Sequence, residues 1–231
     1  MLSGAAFFAL YQSYRDIQTA ETQSQALFRF GTGIVGAGAS GLALSLLRNQ
    51  IRINRLLNGG SSWGRWNPWS TRAPVVSVGK YKGFTKAFQE TASENGVSGV
   101  NFQGHHLNQD SAFTNINVNG KSVTIPRDEG LVVGVVGHSM QASQHGLVHG
   151  VLEVRLWDMY RPGGTRAGRF PTVGEYNEVL KDALRGAFDP EDAASLYEIA
   201  IKEQLDYGID ASARFTTIPA RAASRNPAIP S

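Results

Sequence analysis

Apolar and polar residues follow different periods along this chain, and each change of period marks an element. Met1 to Leu10 is apolar, with no basic stretch before it and no clear small-residue cleavage site after it, so no signal peptide is expected. Tyr11 to Phe28 reads as a polar, glutamine-rich helix, and Phe30 to Leu47 then runs without a charge between Arg29 and Arg48. That apolar run just reaches membrane-spanning length. Its glycines at 33, 36, 38 and 41 would also let two helices pack closely. Residues 1–58 are therefore expected to form an apolar, glycine-rich helical hairpin. Two placements stay open for it, burial against protein or membrane contact through residues 30–47.

Gly-Gly-Ser-Ser and three tryptophans, Trp63, Trp66 and Trp69, give residues 59–74 the composition of a linker. Beyond it, Val75 to Val78 predicts a short strand, and Tyr81 to Glu94 a helix with Phe84, Ala87 and Phe88 on one side. Val97 to Gln103 predicts a strand that leads into Gly104-His105-His106. Asn119-Gly120 between two β-like runs predicts a hairpin within Asn115 to Pro126, and Leu131 to Val136 a further strand. Ser143 to Tyr160 is helical in pattern, with Leu147, Leu152, Leu156 and Met159 near one stripe and Gly163-Gly164 as its stop. Gly146 and Gly150 weaken that helix by about 1 kcal/mol each relative to alanine.

Two more helices are predicted, Glu175 to Phe188 and Pro190 to Tyr207, the second with Asp189 as N-cap. Tyr176, Leu180, Leu184, Leu196, Ile199 and Leu205 are expected to cover the preceding module. Residues 211–231 read as a flexible tail, and residues 75–210 as one domain with a helical cap.

Composition removes several chemistries. There is no cysteine, hence no disulfide, thiolate metal site or cysteine nucleophile. The net charge is only +3, but no acid lies between Thr22 and Gln89, where Arg29, Arg48, Arg52, Arg55, Arg65, Arg72, Lys80, Lys82 and Lys86 all fall. Acids outnumber bases from Glu153 to Asp210. Such asymmetry suits a polyanion partner, because each neutralised phosphate releases counterions.

All five histidines fall between His105 and His149, and four of them form two pairs, His105-His106 and His145/His149. Imidazole is both a metal ligand and a proton acceptor near neutral pH. The second pair, four apart on a predicted helix, shares one face and is spaced for one metal ion. Phosphodiester hydrolysis needs an activated water and stabilisation of the departing oxygen, which a histidine base and a histidine-held divalent ion together supply. Other motifs fit less well. Gly36, Gly38 and Gly41 match a dinucleotide fingerprint, but no acid follows before Glu90. Gly146 stands where a zinc peptidase of the H-E-x-x-H type needs glutamate, and neither Ser139 nor Ser143 sits in a nucleophile elbow.

Gly104-His105-His106-Leu-Asn-Gln, Ile125-Pro126 with Gly130, and His145-x-x-x-His149 running into Leu152-Glu153 and Trp157 carry a family resemblance. Over about Val97 to Gly164 the chain resembles the His-Me finger nucleases of the HNH/endonuclease VII superfamily, in particular the GHH-type toxin domains of bacterial polymorphic toxins. The resemblance implies an α+β fold with a ββα-metal (His-Me finger) nuclease core, here between the N-terminal helical hairpin and a C-terminal helical cap. It implies His106 as general base, His105 as metal ligand, and His145 and His149 completing the metal site, as in colicin-type DNases with a double histidine. Asn108 would orient the base or hold the loop. Arg127 and Arg155 are assigned to the phosphate on charge and sequence proximity, and His138, which has no counterpart in the family, to the surroundings of the site.

The cofactor implied is one divalent ion, magnesium, manganese or zinc. The implied substrate is nucleic acid, DNA ahead of RNA, and the implied protein partner is a cognate immunity protein. The activity would be that of a secreted or delivered effector. Two other classes remain open: a non-catalytic metal- or nucleic-acid-binding protein, and a membrane-active helical-hairpin protein.

Overall fold

Period-two alternation in β-branched residues builds the centre of the molecule, and 3.6-residue stripes build what covers it. The computed structural model describes residues 52, 53, 56, 62, 63, 75–94, 96, 97, 99–137 and 143–220. The helical hairpin expected over 1–58, apart from three of its residues, and His138 lie outside the described residues. The chain divides into two compact units, Met1–Asn54 and Arg55–Ser231. The second contains all five histidines.

In chain order the elements of this second unit are β1 (Ser62–Trp63), β2 (Val75–Val76), β3 (Val78–Lys80), α1 (Tyr81–Glu94), β4 (Phe102–His106), β5 (Ile116–Val118), β6 (Lys121–Val123), β7 (Leu131–Val136), α2 (Gln144–Tyr160), α3 (Val173–Ala187) and α4 (Pro190–Asp206). The fold is mixed α+β, with small antiparallel sheets. The central sheet has the order β3-β7-β4, and His105 and His106 lie opposite Val133 and Val132 of β7. No helix among the described residues is long and apolar enough to cross a membrane.

The sheet is covered on both faces. On one, Phe88 of α1 meets Phe102 of β4 edge-on, at 5.1 Å between ring centroids. Gly134 of β7 permits that approach, since a Cβ there would lie 2.4 Å from the Phe88 ring. Val97 belongs to this cluster rather than to a strand: its N–H closes the end of α1 on the Ala92 carbonyl, and the strand begins only at Phe102. At its other end α1 is broken by non-helical backbone at Lys82 and Gly83, so Tyr81 stands apart from the helix proper.

On the other face lies α2, whose N-cap Ser143 accepts a hydrogen bond from the Gly146 N–H. Its buried stripe is His145, Val148, Leu152, Leu156 and Tyr160. Leu147, expected on that stripe, is 44% exposed, because the buried face begins at His145 and excludes its neighbour two positions on. Leu152, Leu156, Leu180, Leu184, Leu196 and Ile199 are fully enclosed, and burial of each contributes about 1.5–3 kcal/mol. Leu205, also expected to cover the module, is 58% exposed near the end of α4.

Local chemistry sets the ends of the remaining elements. Asn119 and Gly120 both take positive φ, as a two-residue Asn-Gly turn requires between β5 and β6. Thr172 and Glu175 form a reciprocal capping box that starts α3. Asp189 holds the N-cap position of α4 but makes no capping hydrogen bond through its side chain. The tail expected to be flexible from residue 211 is held as far as Ala220. Arg214 exchanges both backbone hydrogen bonds with Asn117 of β5, and Phe215 is buried against Phe113 and Tyr176. Small apolar Ala213 and aromatic Phe215, two apart, anchor the start of a tail that is rich in Ala, Arg, Pro and Ser.

Candidate metal centre

Alternation along β4 separates the double histidine. Phe102, Gly104 and His106 lie on the α1 side of the strand, where Phe88, Phe84 and Tyr81 meet them. Gln103 and His105 lie on the α2 side, against His145 and His149.

The three imidazoles on that side surround one another, with ring centroids 5.2, 4.8 and 5.0 Å apart. One ring nitrogen from each lies within 4.8 Å of the others. A central point is then within about 2.8 Å of all three, so no ring needs to move in by more than roughly 0.7 Å to reach a His–metal bond of about 2.0–2.1 Å.

His105 is the decisive member. It is 2% exposed, and neither of its ring nitrogens has a hydrogen-bond partner. Leaving a buried polar group unsatisfied costs about 1–3 kcal/mol. Burial, followed by the neighbouring His149 and His145 rings, holds its pKa well below the ordinary histidine value. It is neutral at physiological pH, the protonation state a metal requires.

Its two companions are oriented from behind. His145 Nδ1 lies 3.0 Å from the Gln103 side-chain oxygen. That oxygen only accepts, so Nδ1 carries the proton and the lone pair is on Nε2. His149 Nδ1 lies 2.8 Å from Glu153 Oε1, to which Gln109 Nε2 also donates at 3.0 Å. Gln109 Nε2 also lies 3.0 Å from His149 Nδ1, but the closer contact is to a carboxylate, which only accepts, and Gln109 has that same oxygen as its acceptor. The proton therefore belongs on Nδ1 and the lone pair on Nε2. Imidazoles that give one N–H to a carboxylate or carbonyl are characteristic metal ligands. By donor chemistry the three residues fit a divalent ion.

His106 sits in a different setting. Its ring stacks on Tyr81 at 4.5 Å and 25°, and its Nε2 lies 3.0 Å from the Arg127 carbonyl oxygen. Nε2 therefore donates, leaving Nδ1 as the basic nitrogen. Burial lowers its pKa, partly offset by that hydrogen bond and by Asp110. The Arg127 guanidinium lies over the Tyr81 ring, donates to its hydroxyl at 3.0 Å and approaches Asp110 at 3.3 Å.

The remaining expected residues are placed elsewhere. Asn108 is buried and turned to α4, where its amide donates to the Ala200 carbonyl and to Glu203. Of the two roles expected for it, this is the one of holding the loop. Arg155 pairs with Asp182 of α3 at 2.5 Å, away from both histidine groups. Sequence reasoning gave no role to Gln103, Gln109, Glu153 or Tyr81. Gln103 precedes His105 by two on a strand, and Glu153 follows His149 by four on a helix, so both had a same-face signal. Gln109 and Tyr81 had none.

No protein-family model, curated protein or solved structure matches this chain.

Proposed function

We propose that the chain is a metal-dependent nuclease of the His-Me finger type, hydrolysing phosphodiester bonds in nucleic acid. The observation that carries this reading is His105, whose two buried ring nitrogens lack any partner beside two oriented imidazoles. The strand–strand–helix order of β4, β7 and α2 supports a ββα-metal core. In this reading His105, His145 and His149 hold the ion, with Gln103 and Glu153 fixing two of the rings. Three imidazole ligands favour zinc-class ions over magnesium, which prefers oxygen ligands. When bound, a divalent ion supplies Lewis acidity for the phosphate and the leaving oxygen. His106 Nδ1 takes the proton of the attacking water, while the Arg127 carbonyl holds its tautomer and the Tyr81 ring its plane. The base and the metal set belong to consecutive residues on opposite sides of one strand. In this reading the scissile phosphodiester would have to lie across the carboxyl end of β4, where the two sides meet, with Arg127 beside it. The roles of delivered effector and immunity-protein partner follow from the family resemblance and stand with it.

A second reading, a purely structural metal site, is favoured by the complete enclosure of His105 and by His106 facing away. Against it, structural zinc sites generally use four protein ligands, and among the described residues three ligating side chains converge. The test is cleavage of supercoiled plasmid and of RNA by EDTA-stripped protein resupplied with zinc, manganese or magnesium, beside His106→Ala. Metal-dependent cutting that drops by about 10²–10⁴ in the variant, with metal affinity unchanged, supports the nuclease. Metal binding without cutting by the wild type leaves the structural site.

A further inference from the structure

The loop after the double histidine joins two buried polar groups through adjacent residues. Asn108 faces α4: Nδ2 donates to Ala200 O at 2.9 Å and to Glu203 Oε2 at 2.8 Å, and Oδ1 accepts from Gln204 Nε2 at 2.7 Å. Gln109 faces α2 and donates to Glu153, the carboxylate that orients His149. The other oxygen of Glu203 accepts the Leu131 N–H at the start of β7, and the Leu131 carbonyl accepts the Leu107 N–H. Gln204 is itself locked to Asn177 of α3 by two amide hydrogen bonds.

We propose that α4 is a working part of the metal site, with Glu203 and Gln204 acting through Asn108 as positioning residues for Gln109 and hence for the Glu153–His149 pair. This rests on metal binding by His105, His145 and His149. The physical case is one of reach. Consecutive Cα atoms are fixed about 3.8 Å apart, so a displacement of Asn108 along the chain is passed on to Gln109. The Gln109 amide must stay within hydrogen-bond distance of a carboxylate that is only 5% exposed. Residues almost a hundred positions downstream thus set the aim of a metal ligand.

Cobalt(II) titration of the full chain, followed by its visible absorption, tests this without reference to cleavage. Gln109→Ala is expected to weaken cobalt binding roughly tenfold or more. Gln204→Ala is expected to weaken it roughly threefold or more, and the double variant by little beyond Gln109→Ala, because both act on one path. Should Gln204→Ala fail to fold, the isosteric Glu203→Gln carries the same expectation. A lowered thermal midpoint in Gln204→Ala or Glu203→Gln with unchanged cobalt affinity overturns the proposal and leaves α4 a structural cap. A wild type that takes up no cobalt or zinc removes the metal reading, and this proposal with it.

Discussion

Two buried polar clusters lie within one compact unit, and they are completed differently. Between β4, α3 and α4, every side-chain nitrogen and oxygen of Asn108, Asn177, Glu203 and Gln204 has a partner. Between β4 and α2, His105 is equally buried and neither of its ring nitrogens has one. Both clusters bear the cost of removing polar groups from water. In the first, hydrogen bonds within the protein offset that cost, which makes the cluster a fastening. In the second, the cost stands until something outside the chain supplies a partner. A buried polar group without a partner, beside two oriented imidazoles, is the physical signature of a ligand site.

Breaking the closed cluster should have the largest effect. Asn108→Leu leaves Glu203 Oε2 buried without a partner and takes one of two acceptors from Gln204 Nε2, and denaturant unfolding should show a loss of about 3 kcal/mol. The matching change in the open cluster should have the opposite sign. His105→Leu replaces an unsatisfied ring with an apolar side chain of similar bulk, and the metal-free protein should gain about 1 kcal/mol while losing zinc binding. A large loss of stability in His105→Leu would instead mean that the ring is satisfied within the fold.

Acid should widen the same contrast. The folded pKa of His105 lies well below the ordinary value of 6.5, so below that value the unfolded chain binds a proton that the folded chain refuses. Stability of the metal-free protein should fall as pH drops below about 6.5, at up to about 1.4 kcal/mol per pH unit for one group. His105→Leu should lose this histidine's share of the slope and keep that of His106, whose pKa burial also lowers. Glu203 works the other way: burial raises its pKa, so its cost is relieved as pH falls through its folded value toward the ordinary carboxylate range. The difference between wild type and His105→Leu in parallel pH titrations of unfolding isolates the histidine.

The smallest effect belongs to Arg155, which the sequence suggested for phosphate and the structure pairs with Asp182 on the exposed side of α2. Arg155→Ala should change stability by less than about 1 kcal/mol and leave the rate of plasmid cleavage unchanged.

What the sequence revealed depended on how local the signal was. The Asn119-Gly120 turn, the β7 run and the helix from Ser143 to Tyr160 are each decided by neighbouring residues, and all three stand where the pattern put them. The His145/His149 pair was legible because residues four apart on a helix must share a face. Strand alternation equally required His105 and His106 to part, a consequence visible only once β7 and the two helices give each face its contents. The partners of Gln109 and Asn108 were illegible because Glu153 and Glu203, the carboxylates they bind, lie 44 and 95 positions further along the chain. The segment 211–220 looked mobile by composition, and its buried residues, Ala213, Phe215 and Ala220 among them, find partners only in the completed fold.

Whether the three buried imidazoles take a metal is decided by calorimetric titration of EDTA-stripped protein with zinc, beside His105→Leu and His149→Ala. One tightly bound ion per chain is predicted for the wild type, and none at that site in either variant. No binding by the wild type, or equal binding by His105→Leu, would contradict the metal centre.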